Sequence, residues 1–250
     1  MKFQLKNLGE VGSTNDVALE AAKSGAEDGL VVWAQQQTKG RGQRNHTWES
    51  QPKSSLTFSV LFRPNQEELT LLGRFTALGA LAVAQAIKAI TGIEAQVKWP
   101  NDVLLNGKKI CGVLAETDLQ AGNANTVVVG VGVNLLPGAF RESAAMNYPA
   151  SDVLSETGCS LEAETWLWAI LEAMQELREL LPSDAFIRAW NERLAFKGEK
   201  KSIRNHKGET GLFRLLSVSS DGSLLVEDAD GQEFSLQSAE VLPSLSSSSG

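Results

Sequence analysis

Cysteine, tyrosine and basic excess are all scarce in this chain, and each shortage closes off a class of protein. Two cysteines, Cys111 and Cys159, and one tyrosine occur in 250 residues. Cys111 sits in an apolar run, so both cysteines read as small buried hydrophobes rather than halves of a disulfide, which fits a reducing cytoplasm. A formal net charge of -7 leaves no basic face for a phosphate backbone, so no DNA partner is expected. No apolar run approaches the roughly 18 residues of a membrane span, and no basic-then-apolar leader opens the chain, which argues against membrane insertion and secretion. Neither the Gly-Lys-Ser/Thr phosphate loop nor the dinucleotide fingerprint is present. What remains, 42% hydrophobic and 21% charged, is core enough for one large domain and a small second one.

Unlike chemical groups are densest between Lys98 and Glu116, KWPNDVLLNGKKICGVLAE. Pro100 fixes its own φ and biases Trp99 toward extended backbone, which predicts a strand from Val97 to Asp102 ending in a stiff turn that aims Asn101 and Asp102. Asn106-Gly107 is a two-residue hairpin signal between apolar runs. Side chains alternate in facing along the returning strand, so one of Lys108 and Lys109 can point at a site, and Lys109 is the choice. Gly112 interrupts that strand where a ligand or another backbone could approach. Asn, Asp and Lys are also ordinary turn residues, and the stretch could be purely structural.

A strand is expected over Met1 to Leu8, broken by Gly9 to Gly12. Ser13, Thr14 and Asn15 then either cap a helix from about Asp16 to Ser24 or offer polar groups to a ligand. A strand from Leu30 to Ala34 feeds Gln35 to Gln37 into the loop TKGRGQRNHTWES. Gly40 and Gly42 flank Arg41 there, and Lys39, Arg44 and Lys53 add positive charge, so the loop suits an anion, with Trp48 closing an apolar pocket. Leu56 to Phe62 is a buried strand, Leu69 to Thr91 a core helix, and Gly122-Asn123 a hairpin turn. In the strand Thr126 to Leu135, Gly130 and Gly132 bare one face, either for a ligand or for close packing. Pro137 to Pro149 lacks periodicity. Helices are expected at Leu161 to Leu181 and Asp184 to Leu194. From Lys197, turns at Lys207-Gly208, Asp221-Gly222 and Asp230-Gly231 punctuate short strands and predict a small β-barrel.

The central stretch resembles the biotin protein ligases, which carry a similar Lys-Trp-Pro-Asn-Asp turn followed by a lysine, a glycine and a Leu-x-Glu strand. Resemblance spans about Ser13 to Leu242. It implies an α+β fold, a mixed, largely antiparallel sheet packed with helices as in class II synthetases, with an SH3-like C-terminal cap. The expected divisions are a catalytic domain over 1–195, the cap over 196–243 and a disordered tail over 244–250. Some family members carry an N-terminal winged helix; this chain resembles the type without it. The family's biotin loop is usually Gly-Arg-Gly-Arg-x-Gly-Arg-x-Trp. Gly40, Arg41, Gly42 and Trp48 match, whereas Gln43, Asn45 and His46 depart, and the loss of charge at Gln43 and His46 predicts a weaker hold on an adenylate.

By resemblance the biotin site comprises Ser13, Thr14, Asn15, Gln37, Gly40, Arg41, Gly42, Trp48, Lys109 and Gly112. The nucleotide site comprises Arg41, Gln43, Arg44, His46, Trp48, Asn101, Lys109 and Asn134, and Pro137 to Pro149 folds over adenine. The implied reaction joins biotin and ATP, with Mg²⁺ on the polyphosphate, into biotinyl-5'-adenylate, then passes biotin to a lysine of a biotin carboxyl carrier protein. Lys109 and Arg41 are the expected catalytic cations. Asp102 is the expected base for the acceptor lysine, its rivals being metal organisation or bracing of the turn. No metal ligand is assigned. A homodimer is compatible with exposed strand edges. Competing readings are a lipoate-type protein ligase, a biotin-sensing repressor and a non-catalytic docking module.

Overall fold

The computed structural model describes residues 1–43, 46–117, 126–140, 148–205 and 207–243. Seven strands, Gln4–Val11 (β1), Leu30–Gln37 (β2), Ser55–Phe62 (β3), Gln96–Lys98 (β4), Asp102–Leu105 (β5), Lys108–Thr117 (β6) and Val127–Asn134 (β7), form one sheet in the order β1-β2-β3-β7-β6-β5-β4. β1 and β2 run parallel and the other neighbours antiparallel. The mixed, largely antiparallel α+β sheet expected from the sequence is therefore present.

Strand alternation decides what covers each face. Val31, Val60 and Val129 point into the main core with the alanine-rich helix Arg74–Thr91 (α2), behind which packs Ala163–Leu180 (α4). Their neighbours Val32, Leu61 and Val128 point to the opposite face, against Ala18 and Ala22 of the helix Thr14–Lys23 (α1). β3 is buried at all eight positions, as a central strand covered on both faces must be. α2 comes unusually near the sheet at Gly79, where an added Cβ would stand 2.8 Å from Val113 and 3.0 Å from Val129.

Local departures from the sequence reading have local causes. The strand expected at Val97 to Asp102 is two strands, β4 and β5, with the turn at Trp99–Asn101 between them and Lys98 paired with Asp102. Pro100 has no N–H to offer a ladder. β1 continues through Gly9 to Val11, because an edge strand paired on one side tolerates a glycine that nothing crowds. β2 continues to Gln37. The helix expected from Leu69 is a short 3-10 turn, Glu68–Leu71, followed by α2. The Asn106-Gly107 hairpin has φ of 50° and 75°, a primed turn as anticipated. The turn at Gly122-Asn123 and the tail 244–250 lie outside the described residues.

Two more helices, Val153–Thr157 (α3) and Asp184–Arg193 (α5), precede a second sheet. Lys200–Asn205 (β8), Thr210–Val218 (β9), Leu224–Glu227 (β10), Glu233–Leu236 (β11) and Ala239–Val241 (β12) pair antiparallel in the order β11-β10-β9-β8-β12. The last strand returns to the first, the strand order of an SH3-like unit. This sheet is bolted to the large one. Trp99 Nε1 donates to Gly222 O at 3.0 Å, Asn191 and Val218 exchange hydrogen bonds of 2.9 and 2.8 Å, and the buried Arg74 guanidinium donates to Leu181 O and Ser220 O.

α3 was not anticipated, and it braces the β5–β6 hairpin. Glu156 takes hydrogen bonds from Lys108 (2.8 Å), Asn106 (2.9 Å) and Ser151 (2.6 Å). The Lys108 ammonium and the Ser151 hydroxyl hold its carboxyl down to about 2, against an ordinary 4.5. A depressed carboxyl contributes stability that is complete above the unfolded-state value and is lost as pH falls toward the folded one. Melting temperatures of Glu156→Gln and the parent should therefore differ most above pH 4.5 and converge toward pH 2. A constant gap across that window would contradict the pairing.

Candidate active site

On the α1 face of the large sheet lies a cavity of about 460 Å³. It brings together Ser13, Thr14, Asn15 and Gln37 at one end and Asn101, Asp102, Lys109 and Asn134 at the other, with Arg41, Gly42, Gln43, His46, Trp48 and Gly112 between. Gly40 lies behind this wall, buried, where a Cβ would come within 2.3 Å of Trp48 O. Arg44 and Asn45 lie outside the described residues, as do 141–147 of the expected adenine loop.

The polar end is built on α1 and the last residue of β2. Ser13 takes the N-cap position in extended backbone, with no side-chain capping bond. Gln37 Oε1 accepts from Thr14 N (2.7 Å) and Thr14 Oγ1 (3.1 Å). Behind them the fully buried Ser59 Oγ lies 2.7 Å from Thr14 Oγ1 and 2.6 Å from Asn15 Oδ1. Asn15 Nδ2 donates to Glu116 Oε2 at 2.6 Å and Leu114 O at 3.3 Å. Thr14, Asn15 and Gln37 thus form one hydrogen-bonded set with Ser59 and Glu116 that fixes their polar groups beside the cavity.

The floor explains the glycines. Gly112 and Gly132 face each other across β6 and β7, and the Trp48 indole lies over both. A Cβ on Gly132 would come within 2.2 Å of Trp48 Cε2, and one on Gly112 within 3.1 Å of Cζ3. Gly130 serves a different neighbour, since its Cβ would sit 2.2 Å from Asn15 Oδ1. Trp48 Nε1 is buried without a hydrogen-bond partner among the described residues.

The charged end centres on Asp102, 6% exposed. Lys98 Nζ approaches Oδ2 at 2.9 Å and Lys109 Nζ approaches Oδ1 at 2.6 Å, the latter a close ion pair rather than a well-angled hydrogen bond. Burial raises the proton affinity of Asp102, but Lys109 and Lys98 outweigh it and hold the carboxyl below the usual carboxylate range. A carboxylate so held is a weak proton acceptor, which weighs against the base role expected from the sequence. Lys109 is anchored through its backbone by Pro149 O (2.8 Å) and Ser151 N (3.0 Å), and its ammonium stands 5.9 Å from the Trp48 ring. Lys108 turns away to Glu156. Burial pushes the adjacent Cys111 thiol up, and both cysteines are free.

Three expected residues have duties of their own. The Arg41 guanidinium, expected on a ligand anion, forks onto Asp16 (2.8 and 2.6 Å) and reaches Glu116 (3.1 Å). Asn101 holds β6, donating from Nδ2 to Val113 O at 3.0 Å and accepting from Val113 N at 3.0 Å. Asn134 Nδ2 donates to Ser151 O at 3.0 Å, and its Oδ1 is buried with no partner among the described residues. Sequence reasoning passed over Lys98, Ser59, Glu116 and Tyr148. Lys98 opens the Lys-Trp-Pro-Asn-Asp turn that carries the resemblance but was given no role; it packs 4.7 Å over the Tyr148 ring. Tyr148 OH in turn donates to Leu242 O at 3.1 Å, and Ala239 and Glu240 of the small sheet close one wall of the cavity. No group of three or more His, Cys, Asp or Glu that could hold a metal occurs among the described residues.

Comparison with known proteins matches residues 9–134 to the Biotin/lipoate A/B protein ligase family. The chain is 31% identical over 244 residues to the biotin--[acetyl-CoA-carboxylase] ligase of Paracoccus denitrificans, covering 94% of this chain and 98% of that protein. It is 38% identical over 125 residues to the bifunctional ligase/repressor BirA of Bacillus spizizenii, where the match takes in 50% of this chain and only 38% of the relative's length. Among solved structures it is similar to the biotin protein ligase of Aquifex aeolicus in complex with biotin and ATP, at 27% identity and a TM-score of 0.81, covering 96% of this chain and 99% of that one. A family match across half of the chain and a relative 31% identical along nearly its whole length leave one conclusion: the chain belongs to the biotin/lipoate A/B protein ligase family.

Proposed function

We propose that this chain activates biotin with ATP to biotinyl-5'-adenylate and transfers the biotinyl group to a lysine of a biotin carboxyl carrier protein. The observation that carries this reading is one cavity with a Thr14–Gln37 hydrogen-bonding pair at one end and the Lys98–Asp102–Lys109 cluster at the other. A cyclic urea can pair with the first, and a carboxylate meeting a phosphate needs the second. The likeness to the Paracoccus ligase along 94% of the chain supports biotin over lipoate, whose apolar chain has no ureido head.

In the first step a biotin carboxylate oxygen bonds to the α-phosphorus of ATP and the bond to the β-phosphate oxygen breaks, releasing pyrophosphate. Negative charge gathers at the transferred phosphoryl group, and Lys109, held in place by Asp102, is assigned to meet it, with Lys98 behind. Trp48 and the glycine loop cover the mixed anhydride against water. In the second step the carrier's neutral lysine amine bonds to the acyl carbon, the bond to AMP breaks, AMP leaves, and the proton shed by the nitrogen passes by way of the departing phosphate to solvent. Mg²⁺ would enter on the polyphosphate, because the acidic side chain nearest the reacting end, Asp102, is already taken by two lysines. The compartment that supplies ATP and keeps Cys111 and Cys159 reduced is the cytoplasm; among the described residues no helix is long and apolar enough to cross a membrane. Among the described residues the outer edge of β1 has no strand partner, which leaves it open to a strand from a second copy.

The test is exchange of labelled pyrophosphate into ATP with biotin, and with lipoate as control. Exchange with biotin alone supports the reading; exchange with lipoate alone replaces it with the lipoate reading. Asp102→Ala separates the remaining roles. As the organiser of two lysines it should lower adenylation and transfer together, each by about 10²-fold, when the half-reactions are assayed apart. A defect confined to transfer would restore the base role.

A further inference from the structure

We propose that Glu116, to which no role in binding or catalysis has been assigned above, is a positioning residue for biotin binding. Its carboxylate ties the glycine loop, through Arg41, to the start of α1, through Asn15. The proposal rests on the functional reading given above.

One oxygen, Glu116 Oε2, receives both Asn15 Nδ2 at 2.6 Å and Arg41 Nη2 at 3.1 Å. Each partner is held a second time. Asn15 Oδ1 meets Ser59 Oγ at 2.6 Å, which sets the amide orientation, and Arg41 forks onto Asp16 at 2.8 and 2.6 Å. The contacts join residues 75 and 101 positions apart in the chain, so a single side chain on β6 couples two walls of the cavity. Charge bookkeeping explains the arrangement. Two carboxylates face one guanidinium, so Arg41 is neutralised before any anion arrives, and what it brings to the site is the placement of the loop. Gly42 N donates to His46 O at 2.7 Å and Trp48 N to Gly40 O at 3.0 Å, so fixing Arg41 fixes the short hairpin that lays Trp48 on Gly112 and Gly132. Without Glu116 the Asn15 amide and the loop must be ordered by the incoming ligand, and that ordering weakens binding without changing the reacting atoms.

Glu116→Ala should raise the KM for biotin in pyrophosphate exchange about tenfold, the effect of ordering two side chains on binding, with kcat and the KM for ATP near those of the parent. Glu116→Gln, which keeps an acceptor for Asn15 but not the charge for Arg41, should fall between. An unchanged biotin KM, or a fall in kcat at constant KM, would overturn the assignment. Hydrogen exchange of the ligand-free protein tests the coupling without any activity: the amides of Gly42 and Trp48 should exchange faster in Glu116→Ala, and unchanged protection overturns it. Should the parent show no biotin-dependent exchange while those amides do respond, the functional reading fails and the coupling of loop to helix stands.

Discussion

Replacing Lys109 by alanine is expected to lower biotin-dependent pyrophosphate exchange by about 10²–10³-fold, the usual consequence of deleting one preorganised charge at a reacting centre. Preorganisation is visible in three places. The backbone of Lys109 is clamped by Pro149 and Ser151, its ammonium is paired with Asp102 at 2.6 Å, and the Trp48 ring stands 5.9 Å from that ammonium. Lys108→Ala is the matched control, because Lys108 belongs to the α3 brace and lies 2.8 Å from Glu156. It should shift stability and leave exchange near the parent's level. Lys109→Arg should recover little, since a planar fork cannot reproduce a compact ammonium beside a buried carboxylate. Equal losses in the Lys108 and Lys109 variants, with both proteins folded by circular dichroism, would remove Lys109 from the chemistry.

The second large effect is expected at Gly132. A methyl there meets Trp48 Cε2 at 2.2 Å and Cζ2 and Nε1 at 2.5 Å, distances no ring tolerates, so Gly132→Ala must lift the indole off the floor. Displacing a pocket wall by about 1 Å can lower function by roughly 10²-fold, and biotin affinity by titration calorimetry should fall on that scale. Trp48 fluorescence should report the displacement, with the other five tryptophans of the chain as background. The clash has a specific partner, which permits a stricter check by double-mutant cycle. In a Trp48→Ala background the extra methyl has nothing to strike and should have little further effect on affinity. Additive losses would mean that Gly132 matters for some reason other than the indole.

Much of this site was legible from residue order because its signals are local. Asn106-Gly107 makes a primed turn wherever two apolar strands flank it, and alternation along β6 then separates Lys108 from Lys109. Gly130 and Gly132, two apart, had to share a face. That one makes way for Asn15 and the other for Trp48 was open, since both neighbours arrive from distant segments. Lys98, though part of the quoted turn motif, drew no role because three residues of strand have no distinctive pattern; its pairing emerges only when the turn at Pro100 folds it back onto Asp102.

Residue order alone therefore settled most of the strands, the long helices, the hairpin and the family resemblance, while α3, the break between β4 and β5 and the place of Lys98 in the charged cluster came from the structure. Which charged groups reach an anion was likewise a matter of folding. Arg41, the most plausible anion contact on spacing, is claimed by Asp16 and Glu116, 25 and 75 positions away, and Asp102, a plausible base, is claimed by two lysines. Short-range conformation depends on a residue and its near neighbours, whereas the partner of a charge depends on which distant segments the sheet order sets side by side. Hydrogen bonds and ion pairs act over only a few ångströms, and that last proximity is a property of the tertiary structure.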